Sequence, residues 1–274
     1  MRRSILSLAL GLLTMAPAMA EESALKSLQT ANDSRGWDAV GRLNLGTKGF
    51  CTGALIGPKL VLTAAHCLFD KETGARIGIE DLEFLAGWRN GRAAAYRGVR
   101  RAVAHPDYVY SGAEKLARVA FDLALIELDQ PIQLPSIQPF ETDTLPGQGA
   151  EVGVVSYAQG RAEAPSLQQV CHVLGYQPDV LVLSCNVDFG SSGAPIFTIK
   201  DGVARVVSVV SAKAEIEGEP VALGTDLEGP LTTLRAELAA QDAAGTRGTP
   251  SVRVLSGNQS GGAKFIKPDA AATP

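Results

Sequence analysis

The chain has 274 residues, of which 46% are hydrophobic and 20% charged, with a formal net charge of −4. That apolar content can bury a substantial core in one or two domains, and the absence of any basic run longer than Arg100-Arg101 argues against a nucleic-acid partner. With 29 glycines, 15 prolines and only 5% aromatics, the composition suits many short strands joined by tight turns.

The N-terminus reads as an export signal. Arg2-Arg3 precede an apolar run from Ile5 to Met15, and Ala18-Met19-Ala20 forms an A-x-A cleavage site. The run is too short to cross a bilayer core of roughly 30 Å as a helix. Residues 1–20 are therefore expected to be removed, leaving a secreted or periplasmic protein with no stable membrane insertion. An uncleaved anchor is the rival reading.

Residues 21–36 read as a short surface leader. Candidate strands then follow at Val40–Leu45, Phe50–Ile56, Leu60–Ala65, Leu82–Ala86, Arg97–Ala104 and Leu123–Leu128. They alternate or run apolar between Gly, Pro, Asn and Asp punctuation. Residues 131–148 carry Pro131, Pro135, Pro139 and Pro146, the mark of a linker. A second set follows at Glu151–Tyr157, Leu167–Leu174, Val180–Val187, Ala194–Ile199, Ala204–Val210 and Val221–Leu227. One helix is predicted, with Leu231, Leu234 and Leu238 at i, i+3 and i+7 and Pro230 in its first turn. The Gly, Ser, Thr, Ala and Pro content of 242–274 predicts a poorly ordered tail.

The four cysteines suit an exported chain and allow three pairings. Cys51 and Cys67 flank one strand-turn-strand unit, Cys171 and Cys185 another. Local pairing, 51–67 and 171–185, is the simplest choice. No C-x-x-C motif or His/Cys cluster supports a metal site, so no metal is expected.

Three segments bear chemistry. Thr63-Ala64-Ala65-His66-Cys67 closes one apolar run, Phe121-Asp122-Leu123-Ala124-Leu125 opens another, and Gly190-Ser191-Ser192-Gly193-Ala194-Pro195 forms a tight glycine-flanked turn. A serine hydroxyl needs a base to become a nucleophile, and the base needs a carboxylate to orient it. A developing oxyanion needs backbone N–H donors, which a Gly-rich turn can offer. His105, in His105-Pro106-Asp107-Tyr108, and His172, beside Cys171 on a predicted strand, read as loop and packing residues.

The order His, Asp, Ser and the three local contexts resemble the chymotrypsin/trypsin-like serine peptidase family over roughly residues 37 to 240. The resemblance implies an all-β fold of two six-stranded antiparallel β-barrels with a C-terminal helix. The first barrel would span 37–130 and hold His66 and Asp122. The second, with the helix, would span 149–241 and hold Ser192. It implies an endopeptidase that needs no cofactor and takes a protein or peptide substrate. Catalysis would rest on Ser192, His66 and Asp122, and the oxyanion donors would be the N–H groups of Gly190 and Ser192. Ser191 is the competing nucleophile. By motif offset, Asn186 would lie near the floor of the specificity pocket and Ser211 and Lys213 on its wall, with Lys213 either in the pocket or in solvent.

Two rival functions compete with this reading. The α/β-hydrolase elbow is opposed by Ala194, two after Ser192, and by the chain order. A catalytically inactive binding protein of the same fold would need a blocked pocket or a distorted oxyanion turn. One departure from the resemblance is informative. Trypsin-like zymogens carry an acid directly before the serine to receive a new N-terminal ammonium, and here that position is Ser191. The chain is closer in style to exported V8-like bacterial members. A form beginning at Glu21 is therefore expected to need no cleavage before Val40.

Overall fold

A computed structural model describes residues 22–111 and 115–246. The segment 1–20 expected to be an export signal, Glu21, and residues 247–274 of the expected tail lie outside the described residues. A short strand β1 (Lys26–Ser27) precedes β2 (Val40–Leu45), β3 (Phe50–Gly57), β4 (Leu60–Thr63), β5 (Leu82–Ala86) and β6 (Ala95–Ala104). Helix α1 (Lys115–Ala120) leads into β7 (Ala124–Leu128). Strands β2, β3, β4, β7, β6 and β5 close, in that order, into an antiparallel barrel. Closure leaves no open sheet edge. Its core is built from inward-facing Leu43, Leu55, Val61, Phe84 and Ile126, all almost fully buried.

After β8 (Glu141–Thr142) come β9 (Glu151–Ala158), β10 (Arg161–Gln177), β11 (Val180–Leu183), β12 (Pro195–Lys200), β13 (Val203–Ile216) and β14 (Glu219–Asp226). These last six form a second ring in the order β9-β10-β11-β14-β13-β12, closed by pairing of β12 and β10 with β9. Helix α2 (Glu228–Thr246) follows, with Leu231, Leu234 and Leu238 buried as their spacing predicts. No described helix is long and apolar enough to cross a membrane.

Three expectations are revised. The strand expected at Leu60–Ala65 stops at Thr63, because Ala65–Leu68 tightens into a 3-10 turn. The strand expected at Val180–Val187 stops at Leu183. The upstream segment does more than lie on the surface. β1 pairs with β10, with Lys26 opposite Leu167, the Leu28 N–H donates to the Pro165 carbonyl at 2.9 Å, and Leu28 is 1% exposed.

The disulfides join Cys51 to Cys67 and Cys171 to Cys185. They close loops with sequence separations of 16 and 14. In the chain-entropy picture a loop of this size contributes about 3 kcal/mol. Replacing either pair by serine is expected to lower the denaturant midpoint by that equivalent. Peptide mapping without reductant should recover the two local pairs and no cross-pair.

Candidate active site

His66 sits on the 3-10 turn after β4, a turn pinned by the Cys67 bridge to β3. Asp122 lies between α1 and β7 and is 3% exposed. A buried carboxylate must be satisfied, and this one is. It accepts the His66 backbone N–H on Oδ1 at 2.8 Å and lies with Oδ2 2.7 Å from the imidazole Nδ1. The Ser211 hydroxyl on β13 donates to the same Oδ2. The neutral imidazole is thereby set to carry its proton on Nδ1, leaving Nε2 as an acceptor.

Burial favours the neutral form of His66, and the Arg118 charge pushes the same way. The Asp122 charge and hydrogen bond outweigh both and raise the His66 pKa above the ordinary 6.5. His105 behaves differently. It is 5% exposed, stacks on Phe121 with ring centroids 5.0 Å apart, and is held below the usual range by burial against a weaker pull from Asp107.

The turn at 190–193 is shaped by Thr52 of β3. The Thr52 hydroxyl donates to the Gly190 carbonyl at 2.9 Å, and the Thr52 N–H donates to the Ser192 carbonyl at 2.8 Å. The Gly193 backbone is at φ +77, and a Cβ there would stand 2.1 Å from Thr63 Oγ1 and 2.3 Å from the Thr52 carbonyl. Only glycine fits that approach. The Phe189 carbonyl accepts from Gln159 N–H at 2.6 Å and the Ser191 carbonyl from Ala194 N–H at 2.9 Å. Because a trans peptide points its N–H opposite its carbonyl, the Gly190 and Ser192 N–H groups are turned away from those partners. Among the described residues neither donates to a protein acceptor. Two free N–H groups flanking one serine can hold a developing negative charge.

Ser191 and Ser192 differ sharply. Ser191 is fully buried, its Oγ 3.3 Å from both Ser156 Oγ and Arg161 Nη2. Ser192 is half-buried and lines a cavity of about 420 Å³ together with His66 and Gly190. No hydrogen bond joins Ser192 Oγ to the imidazole among the described residues. Such bonds are often long in ligand-free sites and tighten when substrate binds.

Ser192 also lines a second cavity of about 320 Å³, walled by Val187, Val210, Ser211, Ala212 and Lys213. Lys213 Nζ lies 3.7 Å from Asp188 Oδ1 at its mouth, and both side chains are about half exposed. Asn186, expected at the pocket floor, is exposed and does not line this cavity. Its N–H donates to the Gln168 side-chain carbonyl at 2.7 Å. Thr52 and Arg161 were not found from the sequence; the position of Thr52 beside Cys51 was the one local hint. The sulfurs of Cys51 and Cys67 lie within 4.8 Å of a His66 nitrogen, but they are bonded to each other and offer no thiolate to a metal.

The model of a family described as Trypsin matches residues 29–223. A glutamyl endopeptidase of Bacillus licheniformis is 26% identical over 150 residues, covering 54% of this chain and 45% of its own. The serine protease filzig of Drosophila melanogaster is 32% identical over 203 residues, covering 62% of this chain and 11% of its own. The chain thus spans less than half the length of these curated relatives. Among solved structures, a Glu endopeptidase in complex with MPD superposes with a TM-score of 0.64 over 81% of this chain and 99% of that one, at 15% identity. At that identity the likeness establishes the fold alone.

Proposed function

This chain belongs to the trypsin family, and from that premise we propose that it is an exported serine endopeptidase working through an acyl-enzyme. Ser192 Oγ attacks the scissile carbonyl while His66 Nε2 takes its proton. The N–H groups of Gly190 and Ser192 hold the oxyanion. His66 then returns the proton to the leaving amine, and Asp122 fixes the tautomer and stabilises the imidazolium. Water repeats the cycle in reverse roles to release the acid. Arg2-Arg3, the A-x-A site and the disulfides support export.

The observation that carries the reading is the short His66–Asp122 contact beside a cavity that His66 shares with Ser192. An inactive binding protein would need that cavity blocked or the turn distorted. The cavity is open, and among the described residues the two N–H groups have no protein acceptor, which supports the catalytic reading. The test is labelling by a fluorophosphonate. The wild-type protein should label at Ser192, Ser192→Ala should not, and failure of the wild-type to label would favour a binding role.

The raised pKa of His66 predicts a pH profile. The base must be neutral, so kcat/KM should fall as pH drops through a value above 6.5. Asp122→Asn removes both the charge and the acceptor that raise this pKa. Its acid limb should move to lower pH, and its plateau should fall by roughly 10⁴-fold because the imidazole loses its tautomer. An unmoved limb would show that another group titrates.

A further inference from the structure

We propose that the larger cavity beside Ser192 receives the leaving-group side of the substrate and selects a large apolar residue at the first position after the scissile bond. This rests on the catalytic reading above. The orientation follows from proton transfer. His66 delivers its proton to the leaving amine, so that amine must depart on the His66 side of Ser192. The cavity of about 420 Å³ contains both His66 and Ser192. The cavity of about 320 Å³ contains Ser192 but not His66. The smaller one therefore holds the acyl side and the larger one the leaving side.

The walls give the selectivity. Phe50, Phe69, Ile77, Tyr110 and Phe189 line the larger cavity, whereas in the smaller one two valines, an alanine and Phe189 share the wall with Asp188, Lys213 and two serines. Two of these rings are held in place by packing within the cavity wall. Phe50 packs so close to the oxyanion turn that a Cβ on Gly190 would lie 2.5 Å from its ring. Phe69 stacks on Tyr110 with centroids 5.3 Å apart. Phe189 lines both cavities and, at 80%, is the most exposed large hydrophobic side chain among the described residues. A ring left this open on the turn next to Gly190 gains burial only when a substrate covers it. Lys48 and Lys71 also line the larger cavity. Lys48 is paired with Asp70, and the Lys71 ammonium adds positive charge, so a cationic residue is disfavoured there.

Acyl transfer tests the leaving side alone. p-Nitrophenyl acetate would acetylate Ser192 with loss of p-nitrophenol. An amino acid amide then competes with water for the acetyl group. Its amine nitrogen attacks the carbonyl as His66 takes the amine proton, His66 passes that proton to the departing Ser192 Oγ, and an N-acetyl amino acid amide is released. The measured quantity is the ratio of this product to acetate, which does not depend on how fast the enzyme was acetylated. Phenylalanine amide and leucine amide should partition at least tenfold better than glycine amide, and lysine amide no better than glycine amide. Phe189→Ala and Phe69→Leu should each reduce the phenylalanine advantage several-fold. Equal partition of all four amides, or an advantage untouched by both substitutions, would overturn the proposal while leaving the catalytic reading intact. No burst of p-nitrophenol and no fluorophosphonate label would overturn both.

Discussion

Replacing Ser192 or His66 by alanine is expected to lower kcat by roughly 10⁴- to 10⁶-fold, and the double replacement to be little worse than either. The two groups act as a unit, so removing the second takes away an interaction already lost. Asp122 and the Gly190 turn stay in place in all three variants, so a residue of rate over water should remain. Ser191→Ala separates the two adjacent serines. Ser191 is fully buried and bonded within 3.3 Å to Arg161 and Ser156, so its loss should cost stability and only part of the turnover. Steady-state kinetics with unfolding curves for all four variants decide the matter. Near wild-type turnover in Ser192→Ala, with Ser191→Ala folded but dead, would identify Ser191 as the nucleophile.

The strands were legible because their signals are local. Val40–Leu45 and Leu82–Ala86 emerge with the bounds their apolar patterns predict, and both disulfides follow the nearest pairing. Helix α1 was not legible, since six residues are too few for a 3.6-residue period to show. The partners of the site were hidden for another reason. Thr52 meets Gly190 across 138 positions of sequence, and Ser211 meets Asp122 across 89. Nothing local to a threonine or serine announces a contact that only closure of two barrels creates. Ser211 was expected on a pocket wall and does line the smaller cavity, but its bond to Asp122 was not foreseen. Asn186 was expected at the pocket floor by counting back from Ser192; it is exposed, with its N–H bonded to the Gln168 side chain.

A form beginning at Glu21 is expected to be active without further cleavage, and a form beginning at Val40 to be unstable and largely inactive. A trypsin-like activation would bring an N-terminal ammonium to the residue before the nucleophile. That residue is Ser191, which has no charge to offer, and the Arg161 guanidinium already stands 3.3 Å from its hydroxyl. A second cation there would meet repulsion instead of an ion pair, besides losing its hydration. Val40 is also fully buried, pairs with Ala54 in the first barrel and donates its N–H to the Trp37 carbonyl at 2.8 Å. Cutting before it removes the β1 pairing and the buried Leu28. It also removes the packing of Trp37 on Phe197, with centroids 5.0 Å apart, and the Arg89–Asp38 bond of 2.9 Å. Burial of one leucine and one aromatic side chain is worth about 3–6 kcal/mol, a large part of the roughly 5–15 kcal/mol that holds a domain folded. Both forms should be purified, titrated with a fluorophosphonate and followed by thermal unfolding. The Glu21 form should titrate near one site per chain, and the Val40 form should melt lower and titrate poorly. If only the Val40 form reacts, the chain is a zymogen and the hydrogen bonds of Ser191 with Arg161 and Ser156 are not what holds the turn ready.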